Sequence, residues 1–299
     1  MPCITWLIIH SKAKAMITDA ETNFVYFSEL LRQKPEYRNF HEQLCRLLKK
    51  HNIAHDYISE TRDIWCRDYM PVQVRMDKYI GFSYDPDYLK GEEWEGLRTY
   101  SDLLHEPMSR QTVKSDIVLD GGNVIKGKNK VILTDKVLTE NSRNYSPERL
   151  IGKLQEHFEV DIIILIPWDK SEIYGHADGM IRFINDDHVL INGYFRAYGK
   201  KFRNNFFGAI ESNHLSFTEL TFDVPHPDEN LNWGYINFLQ MDKLLIVPQF
   251  DIREDDQAVA QIKKAFPAYA EKCQIETLNS RDIIQHGGVL NCASWNIIQ

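Results

Sequence analysis

The sequence predicts an α/β protein assembled from one supersecondary unit repeated about five times around a common axis. Two observations carry that prediction. A polar motif, a tight turn of Asp, Asn, Gly or Lys, and a short apolar strand recur along the chain, usually followed by a loop and a helix. The polar residues that head these copies and close the series, Asp68, Asp120, Asp178, Asn237 and Cys292, are spaced 52, 58, 59 and 55 residues apart. A near-constant period of that size marks a repeated unit whose apolar face is buried by stacking on its neighbours. No Pro/Gly/Ser-rich linker or low-complexity run breaks the series, so residues 1–299 are expected to form one domain with a central site.

Composition sets the outer bounds. With 299 residues, 43% of them hydrophobic, the chain can bury a large core as an ordinary globular protein does. A net charge of −8 argues against a nucleic-acid partner, which needs a basic patch, and is compatible with a cationic small molecule. Cys3, Cys45, Cys66, Cys273 and Cys292 are odd in number and contain no CxxC pair. That disfavours a disulfide framework or a zinc knuckle and fits a reducing compartment. The N-terminus lacks the basic and apolar regions of a signal peptide, and no apolar run reaches the length of a membrane span. A cytoplasmic location without a membrane partner is expected.

Taken in order, residues 4–9 (ITWLII) read as a buried strand. Phe40, Leu44, Leu47 and Leu48 mark an amphipathic helix ending near His51. Four copies of the unit follow. The first runs from Trp65-Cys66-Arg67-Asp68 through Met76-Asp77-Lys78 into Tyr79-Ile80-Gly81-Phe82, and the second from Asp120-Gly121-Gly122-Asn123 through 127–130 into Val131-Ile132-Leu133. The third runs from His176-Ala177-Asp178 through Asn185-Asp186-Asp187 into Val189-Leu190-Ile191, and the fourth from Tyr235-Ile236-Asn237-Phe238 through Met241-Asp242-Lys243 into Leu244-Leu245-Ile246-Val247. Such polar dipeptides between apolar runs are hairpin signals. Ser146-Pro147 reads as an N-cap with Pro at the first helical position, ahead of Leu150, Ile151, Leu154 and Phe158 on one face. Asp255-Asp256 opens another helix through Val259, Ile262 and Phe266, stopped by Pro267.

The candidate chemistry sits in the polar motifs. If His176-Ala177-Asp178 lies on a strand, both side chains share a face. They then form a metal pair, a solvent-facing polar pair, or an acid/base histidine beside a carboxylate. No HxH or HExxH accompanies them to complete a metal site. Trp65, Arg67 and Asp68 form a cation–π and ion-pair cluster or part of a site. Asp120-Gly121-Gly122-Asn123 suits a turn, and Asn237 in an apolar run needs hydrogen-bond partners. Cys292, after Gly287-Gly288, is either a buried thiol or a nucleophile. Together these residues specify a ring of three carboxylates, one amide, one histidine and one cysteine.

The order of WxRD, a carboxylate before GGN, GHxD, YxNF running into Pro-Gln-Phe, and a late GGxxxC resembles the agmatine deiminase and bacterial peptidylarginine deiminase family of guanidino-group-modifying enzymes. The resemblance runs from Trp65 to Cys292 and includes 134–144 (TDKVLTENSRN). It implies the five-bladed α/β propeller, or pentein, fold. It further implies hydrolysis of an alkylguanidine to a ureido product and ammonia, with agmatine the first candidate and free or peptidyl arginine the next. In that scheme Cys292 is the nucleophile and His176 the general acid/base. Asp68 and Asp178 bind the guanidinium nitrogens, Trp65 walls the cationic end, and Asp120 and Asn237 complete the substrate site. No metal or cofactor is implied, and homo-oligomerisation is left open.

Three positions depart from the family pattern. Asp120 stands in place of Glu and, one methylene shorter, is expected to reach its partner through water or not at all. Met70 replaces a Gly, and Asn291 stands where a His usually precedes the cysteine. Arg182, on the face of His176 and Asp178 by strand alternation, is a candidate for a substrate carboxylate or for an ion pair with a neighbouring acid. The segment from Asp85 to Tyr100 is a candidate lid. Alternatives on the same fold are a methylarginine hydrolase, an amidinotransferase and a non-catalytic guanidine-binding propeller.

Overall fold

The computed structural model describes residues 15–91, 94–100, 112–228 and 230–299. The strand expected at 4–9 lies outside the described residues. Among the described residues, fifteen strands form five sheets of three strands each. Strand β1 (Phe24–Ser28) pairs in parallel with β2 (Ala54–Ile58). Strands β3 (Val72–Arg75), β4 (Lys78–Ser83) and β5 (Thr112–Val118) make the second sheet. Strands β6 (Ile125–Lys126), β7 (Lys130–Thr134) and β8 (Ile162–Ile166) make the third, and β9 (Ile181–Asn185), β10 (His188–Asn192) and β11 (Ser216–Leu220) the fourth. The fifth holds β12 (Leu239–Met241), β13 (Leu244–Gln249) and β14 (Ile275–Asn279). The last strand, β15 (Ser294–Ile297), returns to pair antiparallel with β1 and completes the first sheet.

Every blade has the same order: an antiparallel hairpin, then a third strand parallel to the second. A parallel partner requires a crossover, and helices supply it in four blades. These helices are Arg38–Lys50, Pro147–Phe158, Lys200–Ser212 and Asp255–Ala265. In the β4–β5 crossover the described residues carry short 3₁₀ turns only. The predicted five-bladed propeller is therefore the observed architecture, with one blade shared between the two ends of the chain.

Local sequence accounts for the helix ends. Ser146 accepts a hydrogen bond from Arg149 N at 3.4 Å, with Pro147 at the first helical position. Leu150, Leu154 and Phe158 then face the core. Pro267 ends one helix and opens a second short one, Pro267–Glu271, because its missing N–H costs nothing in a first turn.

One expectation is corrected. The polar motifs do not lie on strands. Cys66–Tyr69 is one short helical turn, and Gly121–Asn123, Ala177–Gly179 and Asn232–Ile236 are 3₁₀ turns, each just before the first strand of a hairpin. Strand alternation thus has no bearing on His176 and Asp178. The tight turns instead point polar side chains and backbone N–H groups toward the axis.

Candidate active site

Four of the five blades deliver parts of one buried cluster. Asp68 Oδ1 accepts from Gly122 N at 2.9 Å and lies 3.6 Å from His176 Nδ1. The other imidazole nitrogen, Nε2, is 2.9 Å from Asp120 Oδ2. Cys292 Sγ is 3.5 Å from Asp178 Oδ2, which also accepts from Asn291 Nδ2 at 2.7 Å. Asp68, Asp120, His176, Asp178 and Cys292 are all at most 9% exposed. Five of the eight sequence-predicted site residues are thus brought together, from four blades.

Two glycines make room for this approach. A Cβ on Gly122 would stand 2.6 Å from Asp68 Oδ1 and 2.7 Å from His176 Nδ1, so only hydrogen fits there. A Cβ on Gly288 would stand 2.6 Å from the Trp65 ring, which packs flush against the chain leading to Cys292. The Gly-Gly before Cys292 therefore serves close packing as well as chain direction.

Three roles differ from expectation. Asn237 is fully buried and does not face a ligand: its Oδ1 accepts from Asn291 N at 3.1 Å and Cys292 N at 3.2 Å. It brackets the backbone that carries the thiol. Asp120 meets His176 directly, without a bridging water, because the turn it caps brings its main chain close enough for the shorter side chain. Arg182 gives NH2 to Asp19 Oδ2 at 3.0 Å and NH1 to Phe238 O at 3.3 Å. It lines a separate cavity of about 280 Å³ with Asp19 and Lys126 and is occupied there rather than by a ligand carboxylate.

Arg182 belongs to a second ring. Gln73, Lys126, Arg182, Gln240 and Asn296, one from the first hairpin strand of each blade, are all buried and spaced 53, 56, 58 and 56 residues apart. The same period that exposes the site residues would have found them. Arg67 ties the two rings together: its N donates to Cys292 O at 3.1 Å, its Nε to Asn291 O at 3.2 Å, and its NH2 to Asn296 Oδ1.

Sequence reasoning also missed Tyr88 and Tyr174. Tyr88 OH donates to Asp120 Oδ2 at 3.0 Å, and its ring meets Tyr174 edge-on at 5.0 Å. Their only signal was two tyrosines near motifs, too common to single out. The candidate lid is described in part, and its Tyr88 reaches the His176–Asp120 pair.

Electrostatics follow from three carboxylates facing one histidine. Burial pushes the Asp68 carboxyl up to about 7; the His176 charge pulls it down, while Asp120 and Asp178 reinforce burial. Burial opposes a charge on His176, but Asp68, the hydrogen bond and charge of Asp120, and Asp178 together raise it to about 10. Burial, then Asp178 and Asp68, hold the Cys292 thiol well above its ordinary value. With His176 protonated, the cluster is short of positive charge. A cation placed among these groups would offset that and favour the thiolate. Among the described residues, no group of three or more His, Cys, Asp or Glu is arranged to hold a metal ion, and no helix is long and apolar enough to cross a membrane.

Comparison with known proteins agrees with this arrangement. A family model described as Porphyromonas-type peptidyl-arginine deiminase matches residues 10–297. The chain belongs to this family. The agmatine deiminase of Pseudomonas putida is 24% identical over 303 residues, covering 84% of this chain and 78% of that protein. Among solved structures, C. jejuni agmatine deiminase superposes with a TM-score of 0.76 at 18% identity, covering 95% of this chain and 96% of that one. Against relatives from Mycoplasma capricolum and Mycoplasma mycoides, 22% identical over 213 residues, the chain spans only 57% of their length.

Proposed function

We propose that this chain is a cysteine-dependent guanidine deiminase: it hydrolyses an alkylguanidine to a ureido product and ammonia, with residues 1–299 acting as one catalytic domain around the Cys292 site. The observation that carries the proposal is the single buried cluster of Cys292, Asp178, Asp68, His176 and Asp120, deficient in positive charge. A guanidinium supplies that charge and matches two carboxylates with its planar array of N–H donors. Asp68 and Asp178 hold the carbon in front of Cys292 Sγ, and Trp65 walls the cation.

The steps balance as follows. As the cation arrives, the thiol proton leaves to solvent and the thiolate attacks the guanidinium carbon, forming C–S. The tetrahedral adduct expels one nitrogen as ammonia, protonated by His176, and leaves a thiouronium on Cys292. His176, now neutral, takes a proton from water as its oxygen attacks the same carbon. The C–S bond then breaks as the adduct's hydroxyl proton passes to the departing sulfur, so the ureido carbonyl forms, the Cys292 thiol is restored, and the product departs; the thiol proton first lost to solvent leaves with ammonia as ammonium. Asp120 fixes the imidazole by its 2.9 Å hydrogen bond through both half-reactions.

Agmatine is the favoured substrate, with free or peptidyl arginine next. Two facts support that order: Arg182, the candidate receptor for a carboxylate, is bound to Asp19, and the matched relatives named above are agmatine deiminases. The test is ammonia release from agmatine, arginine, a blocked arginine peptide and methylarginine, with wild type and Cys292→Ala. Release by wild type, its loss in Cys292→Ala and a ureido product by mass spectrometry are expected. Activity retained by Cys292→Ala overturns the assignment, and a product that has lost its whole amidino group points to amidino transfer.

A further inference from the structure

Asp120 presents an unusual carboxylate. Its Oδ2 accepts two hydrogen bonds, from His176 Nε2 at 2.9 Å and Tyr88 OH at 3.0 Å, while its Oδ1 is buried and has no hydrogen-bond partner among the described residues. Among the described residues, these two donors are the hydrogen-bond partners that fix which way the carboxylate is turned. The histidine must change its protonation state twice per turnover, so it cannot hold the carboxylate in place by itself. Tyr88 can.

We propose that Tyr88 is a positioning residue of the acid–base pair: its hydroxyl fixes the short Asp120 carboxylate in register with His176 Nε2. The inference rests on the deiminase reading above, because it assigns His176 the proton transfers.

The ring of Tyr88 is itself located by packing. It meets Tyr174 edge-on at 5.0 Å and His176 at 6.1 Å, and Lys136 Nζ lies 4.9 Å from its centroid. Lys136 is anchored in turn by Tyr174 O at 2.7 Å and Asp87 at 2.8 Å. Thus Asp87, one residue before Tyr88, is pinned from the far side of the ring. Burial, then Asp120, Tyr84 and Asp68, hold the Tyr88 phenol well above its ordinary range, so it remains a donor throughout. The Glu of the family pattern is one methylene longer than Asp120. Here a tyrosine from the crossover segment meets the shorter acid.

The charged and titratable groups around His176 are Asp68, Asp120 and Asp178, with Glu140 and Glu172 further out, Lys136 behind Tyr88, and Tyr174 beside the ring. Removing the Tyr88 hydroxyl leaves the Asp120 charge answered by His176 alone. The imidazolium is then held more tightly and loses its proton at higher pH.

Tyr88→Phe keeps the ring and tests this directly. Loss of one hydrogen bond to a charged group predicts about a tenfold fall in kcat on the preferred guanidine, with KM nearly unchanged. The alkaline limb of the kcat–pH profile should move upward, and the melting temperature should stay close to wild type. An unchanged kcat and limb, or a change confined to KM as for a mere pocket wall, overturns the proposal. A readout independent of turnover is the ¹⁵N titration of the His176 ring in Cys292→Ala and in Cys292→Ala/Tyr88→Phe. An upward shift supports the proposal, and coincident curves sink it. If no guanidine is turned over by wild type, the deiminase reading fails on its own, and this titration still reports on Tyr88.

Discussion

Asp68 and Asp19 are both largely enclosed carboxylates near the propeller axis, yet their environments drive them in opposite directions. Asp68 shares its layer with Asp120, Asp178 and one histidine, and its carboxyl is pushed up to about 7. Asp19, inserted from the N-terminal segment, has Lys126 Nζ 2.9 Å from Oδ1 and Arg182 NH2 3.0 Å from Oδ2. Burial opposes its charge too, but Lys126, Arg67 and Arg182 outweigh burial and hold it well below the usual carboxylate range. Two rings of the same repeat, a few residues apart on each blade, thus carry opposite charge. The lower ring finds its counter-charge within the protein. The upper ring finds too little among the described residues, an imbalance that the proposed binding of a guanidinium would answer. The difference separates a structural ion cluster from a functional one more sharply than burial or polarity alone.

The comparison can be broken most severely at Arg182. Arg182→Met leaves Asp19 with half its partners in an enclosed site and is expected to destabilise by about 3–5 kcal/mol. A lowered urea midpoint checks it; wild-type stability would mean that the lower ring is not the closed cluster inferred here. In the upper ring, Asp178→Asn should act oppositely. We expect kcat/KM to fall by about 10²–10³, as when a preorganised electrostatic partner is removed. The melting temperature should hold or rise, because a surplus buried carboxylate is gone. A marked loss of stability with little loss of activity would place Asp178 among the structural charges.

The pH dependence separates the layers next. The Asp68 pKa is raised, so its contribution to stability is full below the unfolded value of about 4 and is lost as pH rises toward 7. His176 is also raised, so its contribution is full below about 6.5 and lost as pH rises through about 10. Asp19 is lowered, so its contribution is present above about 4 and lost as pH falls. Thermal melts should therefore show Asp68→Asn flattening the pH 4–7 slope, by about 1–3 kcal/mol, and Asp19→Asn flattening only the acid side. The reverse assignment would refute the contrast. Smallest is a control remote from both rings. Ser146→Ala, which removes the cap on Arg149 N, should cost about 1 kcal/mol and leave activity and pH slopes unchanged, as read from melts and ammonia release.

Much of this was legible in the chain itself. The spacing of Asp68, Asp120, Asp178, Asn237 and Cys292 follows from the geometry of a repeat, because equivalent positions of stacked units must converge. The helices at Arg38–Lys50 and Pro147–Phe158 follow from apolar periodicity and a capping serine. The strand β1 was not foreseen, since Phe24–Ser28 follows a polar stretch and acquires its partner from the other end of the chain. The strand alternation assigned to His176 and Asp178 failed because a three-residue turn leaves no periodicity to read.

Sequence by itself determined the five-fold repeat, the residue types at its convergence and the family to which they belong, because period and composition are properties of the chain. Only the tertiary structure decided which of those residues join the buried cluster around Cys292. Asn237 and Arg182 occur at the right period yet are turned to backbone and to Asp19, while Tyr88 stands outside the period and reaches Asp120. The reason is that a repeat fixes where a main chain arrives, whereas the direction of a side chain is settled by the partners that neighbouring blades and crossovers bring to it.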